Sequence, residues 1–522
     1  MGHTWEIVSA AFLPSLHYSV AAVTSICALY IAYQLIFNPI RRYPGPIVAR
    51  FTDAYNGFHA FKGDLHLAAW RNHQHYGPVV RHGPNKLVFS SVGAIRDIYR
   101  HARTTKPKAY IALGPGLNIS TTFSAIDPHV HRTRRQLVGQ AVSDRFMRMF
   151  EPTMIDQIEI FIERIRRAAR DSTAINMSVV VRHLGLDIAG LLGFGYNLGM
   201  QTGEENRFML RMLDAGATWS SVFLHWPGSR QFRVGLVAHK VFRSLRGKYL
   251  SLVHKMISSR SSLGTDAKQD LYSILAPALG DGSEGLRQSE LWAEANMFLP
   301  AAGDTTKTAL AALLFYLSRN PEPYELLTQE IRSRFGGVKD INSQTLSGCT
   351  YLRACIDESL RMSPPAAGIL WREQLPDSPE PFVVDGHPIP RGTVVGVNIY
   401  SVHHNPDYFD DPFSFSPARW LDDGTGTEKK KVMRDAFMPF SVGPRGCAGK
   451  AMAYLEISLV MAKVLWCFDF KQALGPLGHV GAGGPHVGDG RARPVEFQLY
   501  DHFSASHNGP YLTFRCRGDC EE

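Results

Sequence analysis

The loop around Cys447 constrains this chain more than any other feature of its sequence. Residues 440–449 run FSVGPRGCAG, and an apolar stretch with helical periodicity begins at Ala451. Glycines allow a backbone to fold closely beneath a flat group and to aim amide hydrogens at a sulfur, and the positive end of a following helix favours a thiolate. The pattern therefore predicts that Cys447 is a metal-ligating thiolate and not the small buried apolar residue that most lone cysteines are.

The fixed positions of this loop resemble the haem-binding signature FxxGxRxCxG of the cytochrome P450 superfamily. The resemblance implies a haem b cofactor (iron protoporphyrin IX) with the Cys447 thiolate as axial ligand, and with Phe440, Arg445 and Gly449 beside it. It covers nearly the whole chain, which is most similar to microsomal enzymes of fungal secondary metabolism. The implied fold is mainly α with a smaller β-rich portion, preceded by one N-terminal transmembrane helix.

A second motif of the family, ExxR, is matched by Glu358 and Arg361. Position selects this pair, because Glu358 precedes Cys447 by 89 residues as the resemblance requires. The same spacing also occurs at Glu163/Arg166, Glu204/Arg207 and Glu284/Arg287. Residues at i and i+3 can meet on one face of a helix. The resemblance implies that the pair binds Arg419 of a PxRx segment, and that this buried cluster serves the folding of the cysteine pocket and not catalysis.

The segment AAGDTT at 301–306 lies within a helical pattern over 291–317. A threonine hydroxyl can donate a hydrogen bond to reduced dioxygen, and a neighbouring carboxylate can relay protons, so Asp304 and Thr305 are predicted to be catalytic. Small residues at this point would let a flat cofactor approach the helix. The resemblance supports this role, although Ala302 stands where the family usually has glycine. The alternative is a helix N-cap, which Asp-Thr-Thr also favours.

The remaining site residues are implied by the resemblance alone. The two haem propionates need cationic partners, which are expected to be His131, Arg135, Arg372 and Arg445. The substrate pocket is expected to be lined by Phe123, Phe298, Ala301, Ala367 and Ile369, and by a C-terminal strand turn near 512–514. No carboxylate or base stands out in these segments to bind a charged substrate, so we expect an apolar polycyclic or long-chain molecule.

The N-terminal region has no Asp, Glu, Lys or Arg between residues 7 and 38. About 20 apolar residues form a helix of roughly 30 Å, which matches the bilayer core. Arg41 and Arg42 follow and should keep the downstream chain in the cytosol. We therefore expect a short lumenal N-terminus at 1–16, a transmembrane signal anchor at 17–38, a basic and proline-rich hinge at 39–50 that acts as a spacer, and a haem-thiolate catalytic domain at 51–522. The alternatives are a cleaved signal peptide and a buried core helix.

Coarser patterns complete the fold prediction. They indicate a β-hairpin over 79–89, a mainly helical part over 147–336 with breaks at 226–228 and 279–282, short strands over 382–397 and a surface loop over 475–490. Seven irregularly spaced cysteines do not suggest a disulfide framework and favour a reducing compartment. With a cytosolic domain, the sequons at Asn118 and Asn176 would stay unmodified.

The net charge of +9 comes from scattered bases, which argues against nucleic acid binding but leaves an anionic membrane or an acidic protein partner open. The predicted function is a haem-thiolate monooxygenase of the endoplasmic reticulum membrane that inserts one oxygen atom from O2 into a terpenoid, polyketide or similar secondary-metabolite intermediate. The chain ends about 75 residues after Cys447 without a flavin or nicotinamide module, so NADPH-cytochrome P450 reductase is the expected electron donor, with cytochrome b5 as an optional second one. The alternatives are a haem-thiolate isomerase or dehydratase, which could dispense with Asp304 and Thr305, and a non-catalytic haem-binding protein.

Overall fold

The computed structural model describes residues 2–101, 103–113, 119–230, 234–278, 288–422, 424, 427–485, 487–488 and 490–518. The described part is mainly helical, as predicted. Its α-helices are α1 (Gly2–Ala32), α2 (Ile47–Phe51), α3 (Ala54–Lys62), α4 (Leu65–Tyr76), α5 (Val92–Ile95), α6 (Pro128–Ala141), α7 (Asp144–Arg170), α8 (Met177–Phe194), α9 (Phe208–His225), α10 (Val234–Ser261), α11 (Leu271–Leu275), α12 (Gln288–Leu317), α13 (Pro321–Arg334), α14 (Ser343–Leu346), α15 (Thr350–Met362), α16 (Ile399–His403), α17 (Glu428–Ala436) and α18 (Lys450–Cys467).

The strands are short and form small separate sheets. They are β1 (Val79–Gly83), β2 (Lys86–Phe89), β3 (Thr104–Thr105), β4 (Ile175–Asn176), β5 (Glu373–Gln374), β6 (Phe382–Val384), β7 (His387–Ile389), β8 (Val394–Val397), β9 (Phe468–Gln472), β10 (Tyr500–His502), β11 (Ser504–Ser506) and β12 (Tyr511–Cys516). The predicted hairpin is confirmed, because β1 and β2 pair antiparallel, and β8 adds to β2 in parallel. The sheets β4-β12-β9, β10-β11, β3-β5 and β6-β7 complete the β-rich portion.

Helix α12 runs through the core and packs closely against α8. A Cβ on Gly303 would come within 2.7 Å of the Leu186 side chain, and one on Gly185 would come within 3.0 Å of the Gly303 carbonyl oxygen. Gly303 therefore serves the crossing of α12 with α8. That the small residues of this segment let a flat cofactor approach the helix stays a prediction. Ala301 is exposed and Thr305 half-buried, so they mark a different and accessible face of the same helix.

Other predicted boundaries are met where the structure describes them. Helix α9 ends at His225 and a 3-10 turn over Pro227–Arg230 follows, as the composition of 226–228 indicates. The break predicted at 279–282 and the sequon residue Asn118 lie outside the described residues. The other sequon residue, Asn176, has a structural part, because its Oδ1 caps α8 by accepting from the Ser178 amide and its Nδ2 donates to Asn508.

The N-terminal apolar segment stands apart from the core. The stretch His17–Phe37 is long and apolar enough to cross a membrane and is only 6% buried, whereas α8, which meets the same criterion, is 83% buried as a core helix. Its C-terminal end nevertheless docks on the body of the protein. The Gln34 side chain is buried and accepts a hydrogen bond from the fully buried Arg81 at 2.6 Å.

The predicted hinge at 39–50 packs on the body of the protein. Ile40 and Tyr43 are buried in a hydrophobic cluster with β2 and β8, and the Pro44 carbonyl accepts the Arg81 amide at 2.7 Å. The helix end is therefore fixed to the hairpin.

One cysteine departs from the expectation that the chain holds no disulfide framework. Cys467 is disulfide-bonded, while Cys27, Cys349, Cys355, Cys447 and Cys516 are free.

Candidate active site

The loop at 440–449 is held by its own backbone hydrogen bonds. The Cys447 amide donates to the Phe440 carbonyl at 2.8 Å, and the Gly446 amide donates to the Gly443 carbonyl at 2.9 Å. Gly443 has φ +74°, and a Cβ there would collide with the Tyr99 carbonyl oxygen, so glycine is required at this turn. The Phe440 ring packs against Tyr454 of α18, with centroids 5.2 Å apart. The turn presents Cys447 just before the N-terminus of α18.

The Cys447 side chain is exposed, and its electrostatic surroundings act in opposite directions. The protein atoms packed around it raise the pKa of the thiol, whereas a hydrogen bond from the Gly449 amide and the nearby charges of Arg135 and Lys450 lower it. The predicted amide donor to the sulfur is therefore present. A Cβ on Gly449 would meet no protein atom within 4 Å, so contacts within the chain do not require glycine at this position.

The four basic residues predicted to bind propionates converge on one place. His131, Arg135, Arg372 and Arg445 line a cavity of about 140 Å³, together with Tyr99 and Thr104. Arg135 of α6 also donates to the Cys447 carbonyl at 3.2 Å, which places the cavity beside the cysteine loop. Burial and the charge of Arg372 lower the pKa of Arg445 to about 10. Asp127 acts on Arg445 in the opposite direction, but none of these side chains forms an ion pair with a carboxylate among the described residues.

Lys106, which sequence reasoning missed, belongs to the same cluster. It is 5% exposed and lies immediately after β3. Burial together with Arg445, Lys106, Arg135 and Arg372 lowers the pKa of His131 to about 3, so the imidazole is neutral and surrounded by cations. No motif marks Lys106 in the sequence. Only the return of β3 to β5 brings it close to Arg372.

The ExxR pair forms a fully buried ion pair. Arg361 donates to both carboxylate oxygens of Glu358, at 2.9 Å from Nε and 2.8 Å from Nη2. Arg419 donates to the same carboxylate at 3.1 Å, as do the Ser416 amide at 3.0 Å and the Trp420 indole at 2.9 Å. Burial alone would raise the pKa of Glu358, but Arg361 and Arg419 hold it below its ordinary value. The predicted three-residue cluster is present.

His403 connects this cluster to the cysteine loop, and it was also missed. Its Nδ1 lies 3.0 Å from the Arg361 carbonyl, and its Nε2 accepts the Met438 amide at 3.0 Å. Burial and the charge of Arg361 lower the pKa of His403 to about 3, so the ring is neutral and can donate at one nitrogen and accept at the other. The position of Met438, two residues before Phe440, is therefore tied to the ExxR helix α15.

Asp304 and Thr305 lie in the middle of α12, which rules out the helix N-cap alternative. Asp304 is 4% exposed and accepts from Arg182 of α8 at 3.0 Å and from Lys307 at 2.9 Å. Burial raises its pKa, but Lys307 and Arg182 outweigh that effect and hold it below the ordinary value. The Thr305 hydroxyl donates to the Ala301 carbonyl at 2.8 Å. A polar cavity of about 370 Å³ reaches Asp304 and Lys307.

The predicted substrate residues are only partly brought together. Phe123 and Ile369 share one apolar cluster, to which Phe503 at the tip of the β10-β11 hairpin adds a ring 5.1 Å from that of Phe123. Ala367 is fully buried in another cluster, and Phe298 packs against Gly193 of α8. The expected C-terminal turn at 512–514 is wrong, because those residues lie within β12 and the turn that reaches Phe123 is at Phe503.

Comparison with known proteins identifies the family. The family model for cytochrome P450 matches residues 47–476. The chain belongs to the cytochrome P450 family. It is 34% identical to cytochrome P450 monooxygenase AKT7 of Alternaria alternata, over 93% of this chain and 94% of that protein. It is also 34% identical to cytochrome P450 monooxygenase apf7 of Gibberella fujikuroi, over 95% and 96%, and to poxM of Penicillium oxalicum, over 93% and 92%.

This cytochrome P450 is therefore a monooxygenase, and its family implies a haem-thiolate cofactor. The residues present fit that group. A dianionic cofactor would neutralise the cluster of His131, Arg135, Arg372 and Arg445, in which no residue forms an ion pair with a carboxylate of the described chain. A thiol with an amide donor stands beside that cluster.

Proposed function

We propose that this cytochrome P450 inserts one oxygen atom of O2 into an apolar organic substrate, using electrons that NADPH-cytochrome P450 reductase delivers. Cytochrome b5 would be an optional second donor. The observation that carries the proposal is the position of Cys447 beside a cavity lined by basic residues, with Asp304 and Thr305 on a helix of the same core.

The cofactor proposed for this site is haem b, which would supply dioxygen activation when bound. Cys447 would ligate the iron through its sulfur, with the Gly449 amide donating to that sulfur and Phe440 covering it. His131, Arg135, Arg372 and Arg445 would hold the propionates. His131 would donate a hydrogen bond from a ring nitrogen, and the arginines would contribute the charge.

The proposed protein contribution to the reaction is proton delivery. The Thr305 hydroxyl can give its proton to a neighbouring acceptor after releasing the Ala301 carbonyl. The Asp304 carboxylate is ionised while Arg182 and Lys307 bind it, so it must take a proton from water before it can pass one on. The polar cavity of about 370 Å³ at Asp304 is lined by Ser178, His502 and His507 among others and offers such water a path.

The proposed substrate is an apolar molecule such as a terpenoid or polyketide intermediate of secondary metabolism. The rings of Phe123 and Phe503 and the Ile369 side chain form an apolar wall that supports this choice. Ala301 is exposed on α12 and is the proposed contact on the helical side. Phe298 packs against Gly193 of α8, and Ala367 is buried in a different cluster, so neither residue supports the proposed substrate contact.

The proposed location is the endoplasmic reticulum membrane, with one span over 17–38 and the catalytic domain at 51–522 in the cytosol. The exposed apolar stretch His17–Phe37 and the following Arg41 and Arg42 support it. The capping role of Asn176 is compatible with a sequon that stays unmodified.

The test of this proposal is turnover with defined components. The purified protein is combined with reductase, NADPH and ¹⁸O₂, and extracts from a host lacking the gene serve as the source of substrates. The proposal predicts NADPH-dependent appearance of a product with one ¹⁸O atom. A product formed without NADPH would indicate an isomerase or dehydratase, and haem binding without any turnover in the presence of reductase would indicate a binding protein.

A further inference from the structure

The hairpin of β10 and β11 has a single residue at its tip. His502 pairs with Ser504, so only Phe503 lies between the paired residues. Phe503 has φ +72°, a left-handed conformation that is costly for a residue with a bulky side chain. Such a conformation persists only where neighbouring contacts fix it. The backbone of Phe503 must therefore be held by a group outside the ladder of the hairpin.

The Asp501 side chain is that group. Its Oδ1 accepts a hydrogen bond from the Phe503 amide at 3.3 Å, and the residue is only 2% exposed. Asp501 is itself fixed, because its amide donates to the Gly63 carbonyl at 2.8 Å. The Phe503 ring is half-buried and lies 5.1 Å from the ring of Phe123. The carboxyl group thus ties the strained tip to its strand in the conformation that directs the ring at Phe123.

The other oxygen of the Asp501 carboxyl group contacts a second part of the same apolar wall. A Cβ on Gly368 would come within 2.3 Å of Asp501 Oδ2, so the carboxyl group fills the space beside this glycine. Gly368 directly precedes Ile369, which shares its apolar cluster with Phe123 and Phe503. One buried side chain therefore contacts two segments of the wall that are distant in the sequence.

A purely structural acid is the competing explanation. Oδ2 has no hydrogen-bond partner in the part of the chain that is described, and the Nδ1 of His66 is 4.0 Å from it. Burial raises the pKa of Asp501 to about 6, although the Phe503 and His66 amides oppose that shift. A carboxyl group that only filled space here would be costly, and an uncharged side chain would stabilise the fold. This explanation predicts a change in stability and no change in ligand preference.

We propose that Asp501 is a positioning residue of the substrate pocket, which holds the Phe503 ring against Phe123 and beside Ile369 and thereby sets which apolar ligands fit. This inference deepens the proposed function and rests on it. Asp501 acts through Phe503 and does not itself contact the ligand. Removal of the Phe503 ring should therefore abolish the effect of changing Asp501.

The test uses the full-length ferric holoprotein and two probes, imidazole and clotrimazole. Both ligate haem iron through an azole nitrogen, but only clotrimazole carries bulky aryl groups that can reach an apolar wall. Asp501→Ala removes the carboxyl group, Asp501→Asn keeps the acceptor for the Phe503 amide, and Phe503→Ala removes the ring. A double variant combines Asp501→Ala with Phe503→Ala. Tyr500→Phe changes an exposed residue of the same hairpin and is the matched control.

We expect Asp501→Ala and Phe503→Ala each to bind clotrimazole about tenfold more weakly, as the loss of one ordered aromatic contact implies, and to bind imidazole unchanged. Asp501→Asn and Tyr500→Phe should bind both probes as the unmodified protein does. The double variant should bind clotrimazole no more weakly than Phe503→Ala, because two residues that act through one contact are not additive. Amide hydrogen exchange over 500–506 should be faster in Asp501→Ala, which requires no bound ligand.

Additive effects in the double variant would overturn the proposal, as would equal weakening of both azoles in Asp501→Ala or unchanged hydrogen exchange over 500–506. If Asp501→Ala does not fold, Gly368→Ala replaces it, because the added methyl group would displace Oδ2 and should cause the same selective loss of clotrimazole. If the unmodified protein binds neither azole, the proposed haem-binding function fails, which is a separate result. Hydrogen exchange then still decides whether Asp501 fixes the tip.

Discussion

Arg182 of α8 holds Asp304 of α12 through a hydrogen bond of 3.0 Å between Nε and Oδ1. The same guanidinium binds Asp214 of α9 through both terminal nitrogens, at 3.1 and 2.7 Å. Lys307 adds a second cation to Asp304 at 2.9 Å. The acid proposed for proton delivery is therefore ionised and tied to two neighbouring helices in this state. Its partners must rearrange before it can carry a proton.

The two proposed relay residues should fail in different ways when they are changed. Thr305→Ala removes the hydroxyl that passes the proton on, so NADPH consumption should continue while oxygen leaves as hydrogen peroxide. Asp304→Asn removes the acid and should slow turnover itself. Thr306→Ala is the matched control, because Thr306 makes the same bond to the carbonyl four residues earlier but is buried. The measurement is the amount of product formed per NADPH oxidised. An unchanged ratio in Thr305→Ala would show that the Thr305 hydroxyl does not deliver the proton.

Glu358 should be essential for a folded haem site. Glu358→Gln leaves Arg361 and Arg419 as buried charges without their carboxylate, and breaking such a cluster costs about 3–5 kcal/mol. Glu163→Gln is a control with the same i, i+3 spacing, since Glu163 pairs with Arg166 on the surface of α7 and such pairs contribute about 0–1 kcal/mol. We expect haem content to collapse only in Glu358→Gln. Equal haem content in the two variants would show that the cluster is dispensable.

Glu456 predicts an unusual pH dependence of stability. It is fully buried on α18, neither carboxylate oxygen has a hydrogen-bond partner in the part of the chain that the structure describes, and burial raises its pKa to about 8. From about pH 5 to about pH 8 the unfolded chain releases this proton and the folded chain keeps it, so stability falls as pH rises. Glu456→Gln should raise the thermal midpoint, and more so at the higher pH. A gain that does not grow with pH, or the same gain in the exposed control Glu428→Gln, would contradict this.

The docking of the N-terminal helix end predicts where the anchor can be removed. Both a chain that begins at residue 33 and one that begins at residue 41 should leave the membrane fraction. Only the longer chain keeps Gln34, which accepts from the buried Arg81, so the shorter chain should lose about 1–3 kcal/mol of stability. Denaturant unfolding measures this difference. Equal stability would mean that water replaces Gln34, and retention of either chain in the membrane would require a second membrane contact.

The sequence predicts well what is encoded locally. The loop at 440–449 was recognisable because its ligand, donors and turn glycines are contiguous, and the distance to Cys447 selected Glu358 from pairs with identical spacing. Of those pairs, Glu163/Arg166 and Glu204/Arg207 form surface ion pairs, and Glu284/Arg287 lies outside the described residues.

Residues that come into contact only in the folded structure could not be predicted from the sequence. Lys106 meets Arg372 only through the pairing of β3 with β5, and His403 meets Met438 across a loop. The close contact of Gly303 with α8 depends on a helix crossing that no motif encodes, so the sequence did not indicate it. Phe503 was missed because a three-residue strand on each side of a turn leaves little periodic signal.

The central claim is that Cys447 is the thiolate ligand of the haem, and a carbon monoxide difference spectrum tests it most directly. The reduced full-length protein should show the absorption band typical of thiolate-ligated haem. Cys447→Ser should lose that band and all turnover, while Cys516→Ser, which changes a free cysteine of β12, should keep both. An intact band in Cys447→Ser would contradict the account.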